Sequence, residues 1–397
     1  MSGTLEVLVG ATRVGVLEQF EDEEYVFTFD GEWLVDPDRP VLGQLFEDRK
    51  PVPIQTSGPP CWFAHLLPQG PLRRALSRQL GVDEGDVFAF LQAMGDDLPG
   101  AVVARPIHSA PSRRTSAPPE PPEAGLKMSA LAGAQWKLSV RPGERGLVLP
   151  VQGATGSWIA KFHDPNFSEL PRVEFATMCW AALSGIRVPP LRLGRITEIE
   201  ALPAGIPTGD GTMYLVERFD RAPDERRIHM EDMGQVLDRP PGHRQYDGSY
   251  EQLAAVLGAL APSAVREFCE RLVFCIVCGN TDAHLKNWSV LYPDGRQAEL
   301  SPAYDLVASV LYMPRVDDEL ALELDGARAF DRISLDTFKR MAAVTNSSFA
   351  ELGAWVREAA SRTVDAWHAH AAELAYTDDE RRRLTAHMAR IPLLTAS

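Results

Sequence analysis

Between Pro106 and Gly125 the chain reads PIHSAPSRRTSAPPEPPEAG, rich in Pro, Ser and Ala and without apolar periodicity. Such a stretch is expected to run as a linker or an ordered surface loop. It divides a 397-residue chain whose length alone allows two or three domains. The expected division is a first domain over 1–105, the linker at 106–125, a second unit over 126–222 and a third over 223–397.

The unit before the linker reads as α+β. From Leu5 to Phe29 three β-branched and aromatic runs, broken by Gly10-Ala11-Thr12 and by an acidic cluster, predict a small antiparallel sheet. Apolar residues at helical spacing then predict helices over Gln69–Leu80 and Asp83–Met94, the second capped by Asp83 and stopped at Gly95. After the linker come short strands at Gln135–Val140, Leu147–Val151 and Ser157–Phe162, a helix at Arg172–Ser184 and a strand at Met213–Phe219. From Tyr250 the pattern is largely helical, interrupted between Gly279 and Val307 by a loop, a strand and a Pro293-Asp294-Gly295 turn.

Forty Lys and Arg against 55 Asp and Glu leave a net charge of −15, which repels phosphate backbones and disfavours free-standing DNA binding. Five cysteines, an odd and sparse count, fit no oxidised framework, and a reducing cytoplasm is expected. The longest strongly apolar stretch, Leu272 to Cys278, falls far short of the roughly 20 residues a membrane span needs, so no membrane association is expected.

The segment Gly279-Asn-Thr-Asp-Ala-His-Leu-Lys-Asn287, followed by an apolar strand and Ser301-Pro-Ala-Tyr-Asp305, carries the sharpest chemistry. Phosphoryl transfer needs a carboxylate to position the attacking hydroxyl and accept its proton, plus oxygen ligands for Mg²⁺. Asp282 and Asn287 have the Asp-x₄-Asn spacing of a kinase catalytic loop. Asp305 arrives where a second metal-binding carboxylate would sit, so Asp282 is the expected base and Asn287 with Asp305 the expected metal ligands. His284 is placed to face the transferred phosphate. Each residue alone could equally serve a turn or a cap.

A lysine offered from a strand should hold the nucleotide phosphates. In Ser157–Phe162, alternation sends Ile159 and Lys161 to one face, with Ile159 expected to line an adenine pocket. Glu174, on the following helix, is the expected partner aligning Lys161. Ala132-Gly133-Ala134-Gln135-Trp136-Lys137 reads as a small-residue turn whose backbone could cradle phosphates. Met213–Asp220 reads as a buried strand suited to a hinge whose backbone, at Glu217 and Arg218, pairs with adenine while Phe219 packs on the base, though it could also be an ordinary core strand. Cys275-x₂-Cys278 lies in an apolar helix and reads as buried packing, and His368 and His370 as helix surface.

In this order the motifs resemble those of the HipA family of serine/threonine kinase toxins of type II toxin-antitoxin systems, over nearly the whole chain. The resemblance rests on Leu131-Ala-Gly-Ala-Gln-Trp-Lys137, the strand to Lys161, Val216-Glu-Arg-Phe-Asp-Arg221, the 279–287 loop and Ser301–Asp305. In the first domain it rests on Leu66-Leu-Pro-Gln-Gly70 and Gly95–Val102. It implies a bilobal protein-kinase or phosphoinositide-kinase-like fold with a mostly helical C-terminal lobe. Tyr304 joins the nucleotide site through its motif. ATP and Mg²⁺ are the implied cofactors and a protein serine or threonine the implied acceptor, for instance on an aminoacyl-tRNA synthetase. A HipB-like helix-turn-helix antitoxin would supply the DNA contact. The family's autophosphorylated serine is replaced here by Ala130, and Ser129 is the residue that could substitute. The rival readings are a catalytically silent scaffold acting with its antitoxin and a kinase for a small metabolite.

Overall fold

Alternation builds the first sheet. In β1 (Gly3–Val9) Leu5, Val7 and Val9 are buried while the residues between them are only half-buried. With β2 (Thr12–Gln19), β3 (Glu24–Phe29), β4 (Ile54–Ser57) and β5 (Val102–Pro106), it forms an antiparallel sheet in the order β4-β3-β2-β1-β5. The computed structural model describes residues 3–20, 24–47, 53–58, 60–107, 131, 135–150, 155–313 and 318–395. Most of the expected linker therefore lies outside the described residues.

Helices Gly70–Leu80 and Val87–Met94 accompany this sheet. The second begins later than its sequence predicts. Asp83 Oδ1 turns back to accept from Gly85 N at 2.7 Å, so Asp86 becomes the cap and accepts from Ala89 N at 2.9 Å.

A second antiparallel sheet follows in the order β7-β6-β8-β10-β9. Its strands are β6 (Lys137–Pro142), β7 (Leu147–Val148), β8 (Trp158–Lys161), β9 (Leu191–Arg195) and β10 (Thr212–Glu217). The expected strand to Val151 is thus shorter, and the one to Phe219 ends at Glu217. Both faces of β10 are buried, which explains its unbroken apolar run. Met213 and Leu215 join Leu138, Val140, Ala160 and Phe162 in one core with the first sheet. Tyr214 and Val216 face the helix Leu170–Leu183 and the helical remainder of the chain.

The remainder carries β11 (His229–Asp232), β12 (Ser289–Tyr292) and β13 (Glu299–Leu300) as a three-stranded sheet. Around it pack helices Tyr250–Leu260, Val265–Cys278, Phe349–His370 and Asp378–Met388. Trp180, Phe274 and Trp367 join the upper helix to this bundle, with the two indole rings 4.6 Å apart. Among the described residues no helix is long and apolar enough to cross a membrane.

Buried charge ties the N-terminal sheet region to both later parts. Arg218 and Arg221 each reach Asp97, at 3.0 and 2.8 Å, and each also pairs with Asp220. Gly100 N donates to Asp220 Oδ2 at 2.8 Å. Glu231 in β11 is fully buried and accepts from Gln44 N at 2.9 Å, from Trp62 Nε1 at 3.2 Å and from the Tyr292 hydroxyl. Burial nonetheless pushes its carboxyl up to about 7 from 4.5. A carboxyl raised in the folded state stabilises the fold while protonated, so this contribution is complete below about 4.5 and lost as pH rises through about 7. Glu231→Gln is expected to flatten the unfolding free energy across that window, measured by urea unfolding at several pH values; an unchanged slope assigns the dependence to another group.

Candidate active site

Lys161 ends β8, paired on one side with Lys137 of β6 and on the other with Tyr214 of β10. Ala160 and Phe162 enter the core shared with the first sheet, which turns Ile159 and Lys161 to the opposite face. There the Lys161 ammonium, 3% exposed, donates to Glu174 and to Asp305. Glu174 comes from the helix Leu170–Leu183, which Pro171 opens, and its carboxylate is also 3.4 Å from Gln135 Nε2.

Charge within this trio is uneven. Burial raises the Glu174 carboxyl above its usual range, with Lys161 opposing. Burial acts on Asp305 too, but Lys161 and Lys137 overcome it and hold that carboxyl down near 2. Lys161 keeps its proton firmly because two carboxylates outweigh its burial. Lys137, buried beside it, is brought down to about 8 by burial, with Asp305 opposing.

The opposite wall begins at the helix Val265–Cys278, buried throughout from Arg271 onward and closed by Gly279 in the left-handed region at φ 70°. Asn280 N bonds Cys275 O at 2.9 Å, and Asn280 Oδ1 then accepts from Asp282 N at 2.9 Å, so the chain leaves the helix in a fixed direction. Asn287 Nδ2 closes the loop on Asp282 O at 2.8 Å. The Tyr246 hydroxyl donates to Asp282 Oδ1 at 2.6 Å, and its ring meets His284 edge-on at 5.0 Å. His284 is buried, which lowers its pKa, and its Nδ1 has no hydrogen-bond partner among the described residues. After β12 and β13, Asp305 adopts φ 53°, a left-handed conformation that Asp tolerates better than most residues. Tyr304 beside it donates to Lys286 O at 2.7 Å and packs on Phe219, 5.5 Å between rings.

The two walls enclose a cleft of about 770 Å³, within the size range of small-molecule sites. Gln135, Lys137, Ile159, Lys161, Glu174, Glu217, Phe219, Asp282, His284, Asn287, Tyr304 and Asp305 all line it. One expectation changes. Trp136 packs against the core shared with the first sheet rather than into the cleft. Arg218 also lines the cleft, with its guanidinium taken up by Asp97 and Asp220, which leaves its backbone for the hinge contact expected of it. Ser129, Ala132, Gly133 and Ala134 lie outside the described residues. Cys275 and Cys278 are buried, and burial pushes the Cys275 thiol up to about 12.

Sequence reasoning missed Tyr246, Lys286, Asp232 and the N-terminal residues His65, Gln69 and Pro99, which share the same cleft. The Leu66–Gly70 and Gly95–Val102 motifs were the available signal, since they flank or contain the N-terminal ones. The donor set suits Mg²⁺, which is held by one or two carboxylates together with phosphate oxygens rather than by an all-protein cage. Asp305 and Asn287 supply such donors on one cleft.

Two family models match, the HipA N-terminal domain over residues 5–105 and the HipA-like C-terminal domain over 129–368. The chain belongs to the HipA family. A relative named "Putative kinase Y4dM", of Sinorhizobium fredii, is 35% identical over 381 residues, covering 92% of this chain and 91% of that protein. The serine/threonine-protein kinase toxin HipA of Shewanella oneidensis is 26% identical over 303 residues, 66% of each chain. The solved structure of Shewanella oneidensis HipA with HipB and its operator DNA superposes with a TM-score of 0.70 at 21% identity, over 98% of this chain and 96% of that one. That likeness establishes the bilobal HipA fold.

Gly279 is a point where this architecture tolerates no side chain: at its positive φ, a Cβ would meet Val310 Cγ2 at 2.5 Å. Gly279→Ala is expected to lower the unfolding free energy by at least the ~1–2 kcal/mol of a left-handed residue, read by urea unfolding; a stability equal to the parent's would show that the turn can relax.

Proposed function

We propose that this chain transfers the γ-phosphate of ATP, in the presence of Mg²⁺, to a serine or threonine hydroxyl of a protein, and that it acts as the toxin of a toxin-antitoxin pair. The observation that carries this reading is the bonding of Lys161 to Glu174 and Asp305 at once, with Asp282 and Asn287 lining the same cleft. A lysine fixed in this way can meet nucleotide phosphates without reorganising, and Ile159, Glu217 and Phe219 are in position to border the base.

Asn287 and Asp305 would hold Mg²⁺, which neutralises phosphate oxygens when bound. Tyr246 fixes Asp282 through Oδ1, which leaves Oδ2 to meet the acceptor hydroxyl. As the hydroxyl oxygen bonds to the γ-phosphorus, the bond to the β,γ-bridging oxygen breaks, ADP leaves with that electron pair, and Asp282 takes the hydroxyl proton. His284, whose Nδ1 has no partner among the described residues, would face the transferred group from the cleft wall.

The acidic chain suits a partner that brings the DNA-reading surface, and a HipB-like helix-turn-helix antitoxin fits that division of labour. An aminoacyl-tRNA synthetase is the proposed class of acceptor, and Ser129 a proposed site of self-modification. Full-length protein incubated with γ-labelled ATP, Mg²⁺ and host lysate is expected to place label on protein serine or threonine, identified by mass spectrometry. Label on small metabolites alone, or no label, would overturn the reading. Asp282→Ala is expected to reduce transfer by roughly 10²- to 10⁴-fold while leaving nucleotide affinity nearly unchanged, and undiminished transfer would remove Asp282 from its role.

A further inference from the structure

Lys286 lies between Asp282 and Asn287, yet its ammonium is taken up by partners other than the Lys161 trio. Its ammonium, 4% exposed, is 3.1 Å from His65 Nδ1, 3.1 Å from His65 O and 3.5 Å from Asp232 Oδ2. Lysine has three N–H donors, and these three acceptors account for them. His65 belongs to the N-terminal region, 221 positions earlier in the chain.

The imidazole is itself fixed. Its Nε2 lies 2.6 Å from Arg239 O, a carbonyl that can only accept, so Nε2 carries the hydrogen; Nδ1 stands 3.1 Å from the Lys286 ammonium, which can only donate, and 3.4 Å from Asp232 Oδ2. A Cβ on Gly234 would come within 2.5 Å of His65 Cε1, so the backbone there presses against the ring edge. Asp232 is held in turn by a reciprocal pair with Gln235, each backbone N–H donating to the other's side chain at 2.9 Å. Gln235 Nε2 reaches back to Trp62 O at 3.2 Å, in the short helix just before His65.

We propose that His65 is a positioning residue for the catalytic loop, acting through Lys286. The proposal rests on the kinase reading and extends it: the N-terminal region completes the catalytic centre from outside the two lobes. Lys286 O accepts from Tyr304, the neighbour of Asp305, and Asn287 next to it closes on Asp282 O. A shift of Lys286 therefore moves the base and the metal ligands together, while Lys161 and Glu174 keep their own support.

The test uses the full chain and four variants. His65→Ala is expected to lower kcat at least about tenfold, the order that a small misplacement of catalytic groups costs, with the KM for ATP within about twofold. His65→Asn offers an amide oxygen near the place of Nδ1 and is expected to recover most of the rate. Lys286→Met removes the buried charge along with its partner's role, which keeps the test readable if His65→Ala folds poorly. The double variant His65→Ala with Lys286→Met is expected to be no slower than the worse single one.

A kcat within twofold of the parent in both His65→Ala and Lys286→Met would overturn the proposal, as would a rise in KM for ATP that tracks the loss of kcat. Amide hydrogen exchange separates this from a failure of the kinase reading, because it needs no turnover. In His65→Ala the peptide spanning 282–288 is expected to lose protection while that spanning 265–278 keeps it. If the parent transfers no phosphate, the kinase reading falls and this exchange pattern alone decides the role of His65; equal protection in parent and variant rejects it.

Discussion

One ammonium placed between two carboxylates from distant parts of the chain sets the geometry of everything around it. Removing Lys161 would leave Glu174 and Asp305 with Lys137 as the neighbouring cation to offset two like charges, one of them fully buried. The helix Leu170–Leu183 and the strand-following bend at 301–305 are therefore docked against β8 by charge as well as by packing. Shape alone would let these elements slide, whereas a shared proton-rich centre allows one alignment. The other wall relies on hydrogen bonds that start from a rigid buried helix and end at Asn287, so the two walls are built by different means.

The N-terminal region is structurally continuous with the lobes it precedes. Its sheet shares a core with one face of the second sheet, and Asp97 draws in Arg218 and Arg221 from just beyond β10. Breaking such a buried pair by removing one partner typically costs ~3–5 kcal/mol, far more than a surface pair. The family motif at 95–102 thus has a physical reason in this chain: it holds the residues just after β10 against the N-terminal region. The motif at 66–70 adjoins the residue that reaches Lys286.

Much of the fold was readable because its elements are locally consistent. The three runs from Leu5 to Phe29 became three strands, the helix expected over Arg172–Ser184 spans Leu170–Leu183, and the break expected at Gly279 falls where the helix Val265–Cys278 ends. The cleft residues were readable where chemistry restricts the residue type, as at Asp282, Asn287 and Asp305. Trp136 was misjudged for a different reason. Its motif neighbours Gln135 and Lys137 face the cleft, but its own side chain packs against the core shared with the first sheet, an influence that a short motif does not show. His65 and Tyr246 escaped notice because their roles depend on contacts across 221 and 36 positions.

Because Met213 and Leu215 belong to a core that begins at Leu5, part of the cover of the N-terminal sheet is made long after the sheet itself. Phe27 meets Phe46 and Phe63 of its own region, so that sheet carries much of its own cover as it is synthesised, and β10 adds the remainder. The cleft, lined by residues from His65 to Arg328, is complete only once most of the chain has been made.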